Sequence, residues 1–354
     1  MTTVSNERQR SPAPAQRPTM KQVAALAGVG IKTVSRVINH EDSVSPSTRA
    51  RVDAAIQQLN FHPDINAGSL RRTDRRTLTL GLIVGNVANP FSGAVNRAVE
   101  DRAAERGIAV LAVSLDDDAL REKALVGALL RRRVDALILT TVTNNQAYLV
   151  PEIAHGTPFV FVDREPVGVE ADVVVSDNAR GATIATEHLL TRGHRRIAFI
   201  GDRSDIQTSR ERRRGFFDAL GRAGIVTDEV IAIDGIDDEA KARTTATALL
   251  DLADPPTAIF SGQNLITIGT LRALRDRDRH RSTALIGFDD FLLADLLDPA
   301  VTVIAQDPSA IGRIAADRAF ARLDGDVSPF ATTVIPTRLI VRGSGEISPP
   351  GAGH

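Results

Sequence analysis

From Leu78 onward, short apolar runs rich in β-branched residues alternate with stretches whose apolar residues recur at helical spacing. The runs LTLGLIV, AVLAVS, ALILTT, FVFVD, DVVVS, RIAFIG, TAIFSG, TALIGFD and VTVIAQ predict nine strands. Such runs are buried on both faces, which points to parallel sheets covered by helices. Residues 78–342 exceed what one ordinary sheet and core accommodate, so two doubly wound α/β lobes are expected. Ahead of them the pattern is helical and the pieces are short. Thr19 can cap a first helix, with Gln22 completing a capping box, Val23, Ala24 and Ala27 on one apolar edge, and Gly28 as its stop. IKTVSRVIN then turns Val34, Val37 and Ile38 inward, and Ser45 with Pro46 opens a third helix carrying Val52, Ile56 and Leu59. Two short helices joined by a Gly-containing turn and closed by a third form an all-α helix-turn-helix head.

Charge separates the same two parts. The 354-residue chain has a formal charge of −1, but residues 1–77 hold twelve Lys/Arg against six Asp/Glu, a net +6 that leaves −7 on the rest. A basic head on an acidic body suits a nucleic-acid module fused to something else. On the second helix Ile31, Lys32, Ser35, Arg36 and Asn39 face outward. Arg and Lys can donate to guanine edges, Asn can pair with adenine, and Ile can touch a thymine methyl. The first residues, MTTVSNERQRSPAPAQRP, contain no apolar segment for a secretory signal, and 1–17 read as a disordered tail. With no cysteine and no apolar run long enough for a bilayer, the expected setting is the cytoplasm, with no membrane partner, metal or cofactor.

In doubly wound sheets, ligands bind outside the carboxyl ends of the strands. Those ends read GNVANPF, VDRE, SDN, SGQN and GFDDF, with TSRERRRGF after the RIAFIGD strand. Planar Asp, Asn, Gln and Arg groups beside an aromatic face suit a sugar or another polyhydroxylated ligand. Other features read as structure. The arginine runs at 131–133, 210–214 and 275–281 suit solvated helix faces, Arg212 excepted. His188 and His194 lack a third metal ligand. Asp289 and Asp290, being adjacent, should point apart.

The segment MKQVAALAGVGIKTVSRVIN with VSPSTRARVDAAIQQLNFHPDINAGSL resembles the N-terminal domain of the lactose-repressor (LacI/GalR) family. ANPF, FVDR, SDNARGATIATEHLLTRGHRRIAFIGD, RxxGF, IGFDD and AQDPSAIGR extend the resemblance from Thr19 to Arg342. It implies a DNA-binding domain at 18–63, a hinge helix and basic linker at 64–77, and an effector-binding and dimerisation core at 78–342. That core would have two periplasmic-binding-protein-like lobes, one of about 78–176 and 307–333, the other of about 177–306 and 334–342. Chain crossings would fall near Ser176, Gln306 and Val334, and 343–354 would be a frayed tail. Ile31, Lys32 and Arg36 would read bases. Thr19, Thr33, Ser35 and Asn39 would make phosphate or positioning contacts, and Ala67 and Leu70 would meet the minor groove. Asn89, Phe91, Ser92, Asp163, Arg212, Gln263, Asn264 and Asp289 would bind the effector, although Gln263 stands where Asn is usual.

The implied function is a transcriptional regulator, not an enzyme: a homodimeric repressor on a palindromic operator, controlled by a sugar-like effector. A solute-binding protein would have no use for the basic helical head. A sugar-modifying enzyme would need a phosphate loop, metal set or nucleophile–base pair that the sequence does not show. Gly30 departs from the usual Ser, Asp64 from Asn, and Gly68 from a larger hinge residue. Glycine costs a helix interior about 1 kcal/mol relative to Ala. Gly68→Ala is therefore expected to tighten operator binding severalfold in an operator titration. Unchanged or weaker binding would refute a loose hinge.

Overall fold

A computed structural model describes residues 18–38, 41–62, 76–225 and 230–350. The chain divides into two compact units, residues 1–77 and 78–354. The expected tail at 1–17, Asn39, and the hinge positions Asp64, Ala67, Gly68 and Leu70 lie outside the described residues.

The head contains α1 (Met20–Ala27), α2 (Ile31–Ile38) and α3 (Pro46–Leu59). Its first capping box is reciprocal: Gln22 N donates to Thr19 Oγ1 at 3.4 Å, and Thr19 N donates to Gln22 Oε1 at 2.7 Å. Gly28 closes α1 at φ 62°, a left-handed conformation that glycine adopts without a Cβ penalty. Ser45 caps α3 by accepting from Thr48 N, with Pro46 at the first turn. Val23, Ala24, Ala27, Val34, Val37, Val52, Ala55 and Phe61 form the core, and Ile38, Ile56 and Leu59 pack partly buried against it. Arg49 on α3 donates to the carbonyls of Val37 and Glu41, fastening the end of α2.

The body's first six strands are β1 (Thr79–Val84), β2 (Ala109–Ser114), β3 (Ala136–Leu139), β4 (Phe159–Val162), β5 (Asp172–Ser176) and β6 (Ile197–Ile200). The rest are β7 (Ile231–Ile233), β8 (Ala258–Ser261), β9 (Ala284–Phe288), β10 (Thr302–Ala305), β11 (Thr332–Ile335) and β12 (Arg338–Ile340). Its helices are α4 (Pro90–Ala104), α5 (Ala119–Arg131), α6 (Val150–Ala154), α7 (Asn178–Thr191), α8 (Gln207–Arg222), α9 (Glu239–Leu250), α10 (Asn264–Asp276) and α11 (Pro308–Leu323). One sheet runs β2-β1-β3-β4-β5-β11 and the other β7-β6-β8-β9-β10-β12. All pairs are parallel except β10 with β12, which is antiparallel. The two lobes therefore repeat one doubly wound order.

Each sheet is covered on both faces. Val95, Val99, Ile311 and Phe320 from α4 and α11 pack on one side of the first, and Val126 and Leu129 of α5 on the other. In the second, Phe199, Phe216 and Phe260 cluster under α7 and α8, with Phe199 and Phe216 stacked at 5.3 Å. Gly215 lets α8 approach α7, because a Cβ there would overlap the carbonyl of Ala179. That contact explains the glycine in RxxGF.

The third crossing falls just after Ile335, beside the expected Val334, because Val334 and Ile335 still pair with Val175 and Ser176 of β5. One expectation needs correction. The segment from Gly343, expected to fray, is packed through residue 347. Ser344 is buried, donates to Leu285 O and accepts from Thr302 N. His188 meets Glu346 at 2.6 Å, and His194 bonds Ile347 O at 2.8 Å. The two histidines are structural anchors for this segment.

The returning helix α11 is fixed to lobe one through Asp172, which is 1% exposed. Arg322 Nε reaches it at 2.8 Å, Arg318 Nη2 at 3.0 Å and Ala331 N at 3.2 Å. Burial alone would raise its pKa, but these donors hold the carboxylate below the usual range. Asp172→Ala should therefore cost about 3–5 kcal/mol in urea unfolding, because it leaves a buried charge unpaired. Because the folded-state pKa is depressed, the Asp172 contribution is complete above the unfolded value near 3.9 and disappears as pH falls through the folded value. Acid melting should accordingly be shallower in Asp172→Asn than in the wild type.

Candidate functional site

Two surfaces carry chemistry. On the head, α2 buries Val34 and Val37 and exposes Ile31, Lys32 and Arg36. Thr19 is exposed, Thr33 and Ser35 are half-buried, and among the described residues nothing but its own chain neighbours lies within 4 Å of where a Gly30 side chain would begin. Arg36 Nε lies 3.6 Å from the Glu41 carboxylate, an exposed pair weak enough to be exchanged for another partner. An exposed apolar, ammonium and guanidinium set on one short helix fits a DNA major groove. Asn39, Ala67 and Leu70 belong to the same expected surface but are outside the described residues.

On the body, the carboxyl ends of both sheets meet at a cleft of about 490 Å³ between the lobes. Strand order decides which residues arrive. Asp163 follows β4 and Asp289 follows β9, the fourth strand of each lobe, and both have positive φ, 69° and 71°. Each is held there by the next strand, Asp163 N donating to Val174 O and Asp289 N to Ile304 O. Asp tolerates this left-handed conformation better than most side chains, and such positions cluster at ligand sites.

Arg212 rises from α8 but is 6% exposed. Its Nε donates to Asn178 Oδ1 at 2.8 Å and its Nη1 to Gly262 O at 2.8 Å, with Asp289 Oδ2 3.8 Å away. The guanidinium lies 3.8 Å from the ring centroid of buried Phe288. Asn89 caps α4 by accepting from Phe91 N, and Gln263 caps α10 by accepting from Leu265 N. Both N-caps therefore also present their side chains to the cleft. Burial pushes the Asp163 carboxyl up, against the pull of Arg164 and Arg212. Asp202 is also raised, again by burial first.

Asn89, Phe91, Ser92, Asp163, Arg212, Gln263 and Asp289 all line this cleft. Asn264 does not. It is fully buried, and its amide makes a reciprocal pair with Asn89 across the lobes at 3.0 and 3.3 Å. Asp290 points away to Arg342, as adjacency predicts. Sequence reasoning did not select Asp116, Asp117, Arg164, Asp202, Arg203, Asp237, Asp238 or Gln306 as ligand contacts, all of which line the cleft. Six of them lie within three residues of the end of β2, β4, β6 or β10, and that position was the available signal; Asp237 and Asp238 follow β7, a strand the sequence did not announce. Among the described residues, no cluster of three His, Asp or Glu side chains could hold a metal, and no helix is long and apolar enough to cross a membrane.

Comparison with known proteins matches both parts. Residues 19–64 match the family described as bacterial regulatory proteins, lacI family, and residues 186–345 match the periplasmic binding protein-like domain. The chain is 32% identical over 328 residues to the HTH-type transcriptional regulator GalR of Escherichia coli (strain K12), covering 92% of this chain and 95% of that protein. Among solved structures, the lac repressor dimer bound to operator and the anti-inducer ONPF is similar with a TM-score of 0.82 at 26% identity, covering 93% of this chain and 99% of that one. A transcriptional regulator CelR–cellobiose complex is 33% identical with a TM-score of 0.67, covering 93% of this chain and 100% of that one.

Arg212→Lys keeps the charge but loses the planar fork that spans Asn178, Gly262 and the Phe288 face. With hydrogen bonds to a charged group worth about 1.5–3 kcal/mol each, urea unfolding should show a loss of that order.

Proposed function

The chain belongs to the lacI family of bacterial regulatory proteins, and on that premise we propose a sugar-responsive repressor that acts in the cytoplasm as a homodimer on a palindromic operator. It is a sequence-specific DNA-binding transcriptional regulator, not an enzyme. The reading of the effector rests on one observation above all. Strand ends from both lobes converge on a single polar cleft in which a buried guanidinium, two strained carboxylates and a half-buried phenyl ring share one cavity. Planar acceptors and donors beside an aromatic face suit a polyhydroxylated ring. A CelR relative solved with cellobiose supports the same class.

In this reading Ile31, Lys32 and Arg36 contact base edges. Thr19, Thr33, Ser35 and Asn39 contact phosphate or position the helix, and Ala67 and Leu70 enter the minor groove. Asn89, Phe91, Ser92, Asp163, Arg212, Gln263 and Asp289 hold the effector, while Asn264 acts through Asn89. Two-fold symmetry of the dimer fixes the half-site spacing. Effector binding shifts the lobes between arrangements that differ in operator affinity, and the coupling is reciprocal.

The test uses a palindrome that the protein itself selects from random DNA, together with a melting screen of sugars. A sugar that raises the melting temperature should change operator affinity by about 5–150-fold. Lys32→Ala should change base preference at defined positions. Equal weakening on every sequence would make Lys32 a phosphate contact, and a bound sugar with no effect on operator affinity would remove the allosteric part.

A further inference from the structure

The cleft's charge is one-sided: seven aspartates and three arginines line it. All three arginines are already engaged. Arg164 donates to Asp117 Oδ1 at 2.8 Å and Thr141 O at 3.1 Å, with its Nε 3.5 Å from Asp163. Arg203 grips Asp205 with two nitrogens and donates its third to Asp117 O at 3.0 Å. Arg212 is held by Asn178, Gly262 O and Asp289. Among the described residues, none of the three is left as a free cation to neutralise a phosphate or carboxylate.

The acceptors are in the opposite condition. The Asp202 carboxylate, just after β6, takes only neutral donors, Arg203 N at 2.7 Å and Gln263 Nε2 at 3.3 Å. It has no cation within ion-pair distance among the described residues. Gln306 Nε2 donates to Asp289 at 2.6 Å, while its Oε1 is buried without a partner among the described residues. The charged groups facing Asp202 include Asp117 and Arg164 from lobe one and Arg203 and Arg212 from lobe two. One buried donor in the lining also lacks a hydrogen-bond partner among the described residues, the Arg164 Nε–H, but its charge is already balanced by Asp117 and Asp163. The unmet capacity of this cavity is therefore mainly for hydrogen-bond donors and not for negative charge.

We propose that Asp202 is a specificity-determining, ligand-contacting carboxylate that excludes anions, so that the effector is a donor-rich uncharged or amino sugar and not a sugar phosphate or sugar acid. The proposal rests on the cleft being a sugar site. Hydroxyl or ammonium hydrogens satisfy Asp202 and the Gln306 oxygen, whereas an anion there meets like charge in a partly desolvated site. Burial already pushes the Asp202 carboxyl up, so the residue is retained at a cost to the ligand-free fold, as expected of a group kept for binding.

The experiment is a melting and calorimetric screen of the full-length protein against matched sets: a neutral sugar, its amino derivative, its uronic acid and its phosphate. Binders should be neutral or amino members, at least tenfold tighter than their anionic counterparts. Asp202→Asn should lower affinity for the binder at least tenfold and narrow its preference over the acid, while melting at or above the wild type without ligand. An amino preference lost in Asp202→Asn identifies the ammonium as the group read; equal neutral and amino affinities identify a hydroxyl. A tighter anionic member, or an Asp202→Asn affinity within twofold of wild type, overturns the charge filter alone. If no sugar of any class binds, the sugar reading falls and takes the filter with it.

Discussion

A guanidinium buried in the second lobe joins core to site. Arg212 cannot be taken out of water without compensation, and its compensation comes from three directions: Asn178 at the start of α7, the Gly262 carbonyl after β8, and Asp289 after β9. Its face rests on Phe288, which belongs to the same apolar cluster as Phe199, Phe216 and Phe260. Moving any of these elements strands the charge, so the arrangement of the cleft wall is set by the packing of the lobe. An aromatic core beneath a polar site is the kind of support that keeps binding groups in one geometry.

The two lobes solve the same problem twice. Each runs its sheet in one doubly wound order, and each ends its fourth strand on an aspartate at positive φ, bonded to the following strand. Left-handed backbone at a non-glycine residue persists where the surrounding structure over-determines it. The repetition places Asp163 and Asp289 at corresponding ends of the two sheets, lining one cavity. Fold symmetry thus supplies the pairing of carboxylates.

What was legible in the sequence follows from which signals are strong. All nine expected strands exist, because continuous β-branched runs leave few alternatives. The strands not foreseen, β7, β11 and β12, are three or four residues long, and each is exposed or half-buried at the edge of its sheet. Short edge strands owe their existence to a neighbour and carry little pattern of their own. The C-terminal segment is expected to fray, yet Ser344 and Glu346 find partners on β9, β10 and α7 that only the folded lobe brings near. Of the eight residues carried over by motif, seven line the cleft. Asp202, Arg203 and Gln306 stand just beyond expected strands, but a strand-terminal polar residue can equally be a helix cap, and Asp237 follows β7, whose own pattern is too short to announce it. Asn264 stands behind Asn89 and not in the lining, since adjacency to Gln263 says nothing about which of the two amides reaches the cavity.

How such a body could respond to a ligand follows from where its apolar contacts stop. Every described hydrophobic cluster of the body belongs to one lobe: Leu80 to Phe320 and Ile83 to Val175 in the first, and those containing Phe199, Ile259 and Val303 in the second. The hydrogen bonds that cross the cleft among the described residues include the Asn89–Asn264 amide pair, Glu165 N on Gln207 Oε1 at 2.9 Å, and Arg203 on Asp117 O. Bonds of this kind trade against water for about 0.5–1.5 kcal/mol each, so together they hold the lobes by a few kcal/mol. The lobes themselves, with full cores, resist deformation far more strongly. A ligand that makes its own bonds to both walls supplies differential affinity of the same few kcal/mol, which is what shifting a two-state population requires. Had an apolar cluster bridged the lobes, no small polar molecule could move them. The division of contact types, apolar within lobes and polar between them, therefore makes rigid-body lobe motion the soft coordinate of this fold.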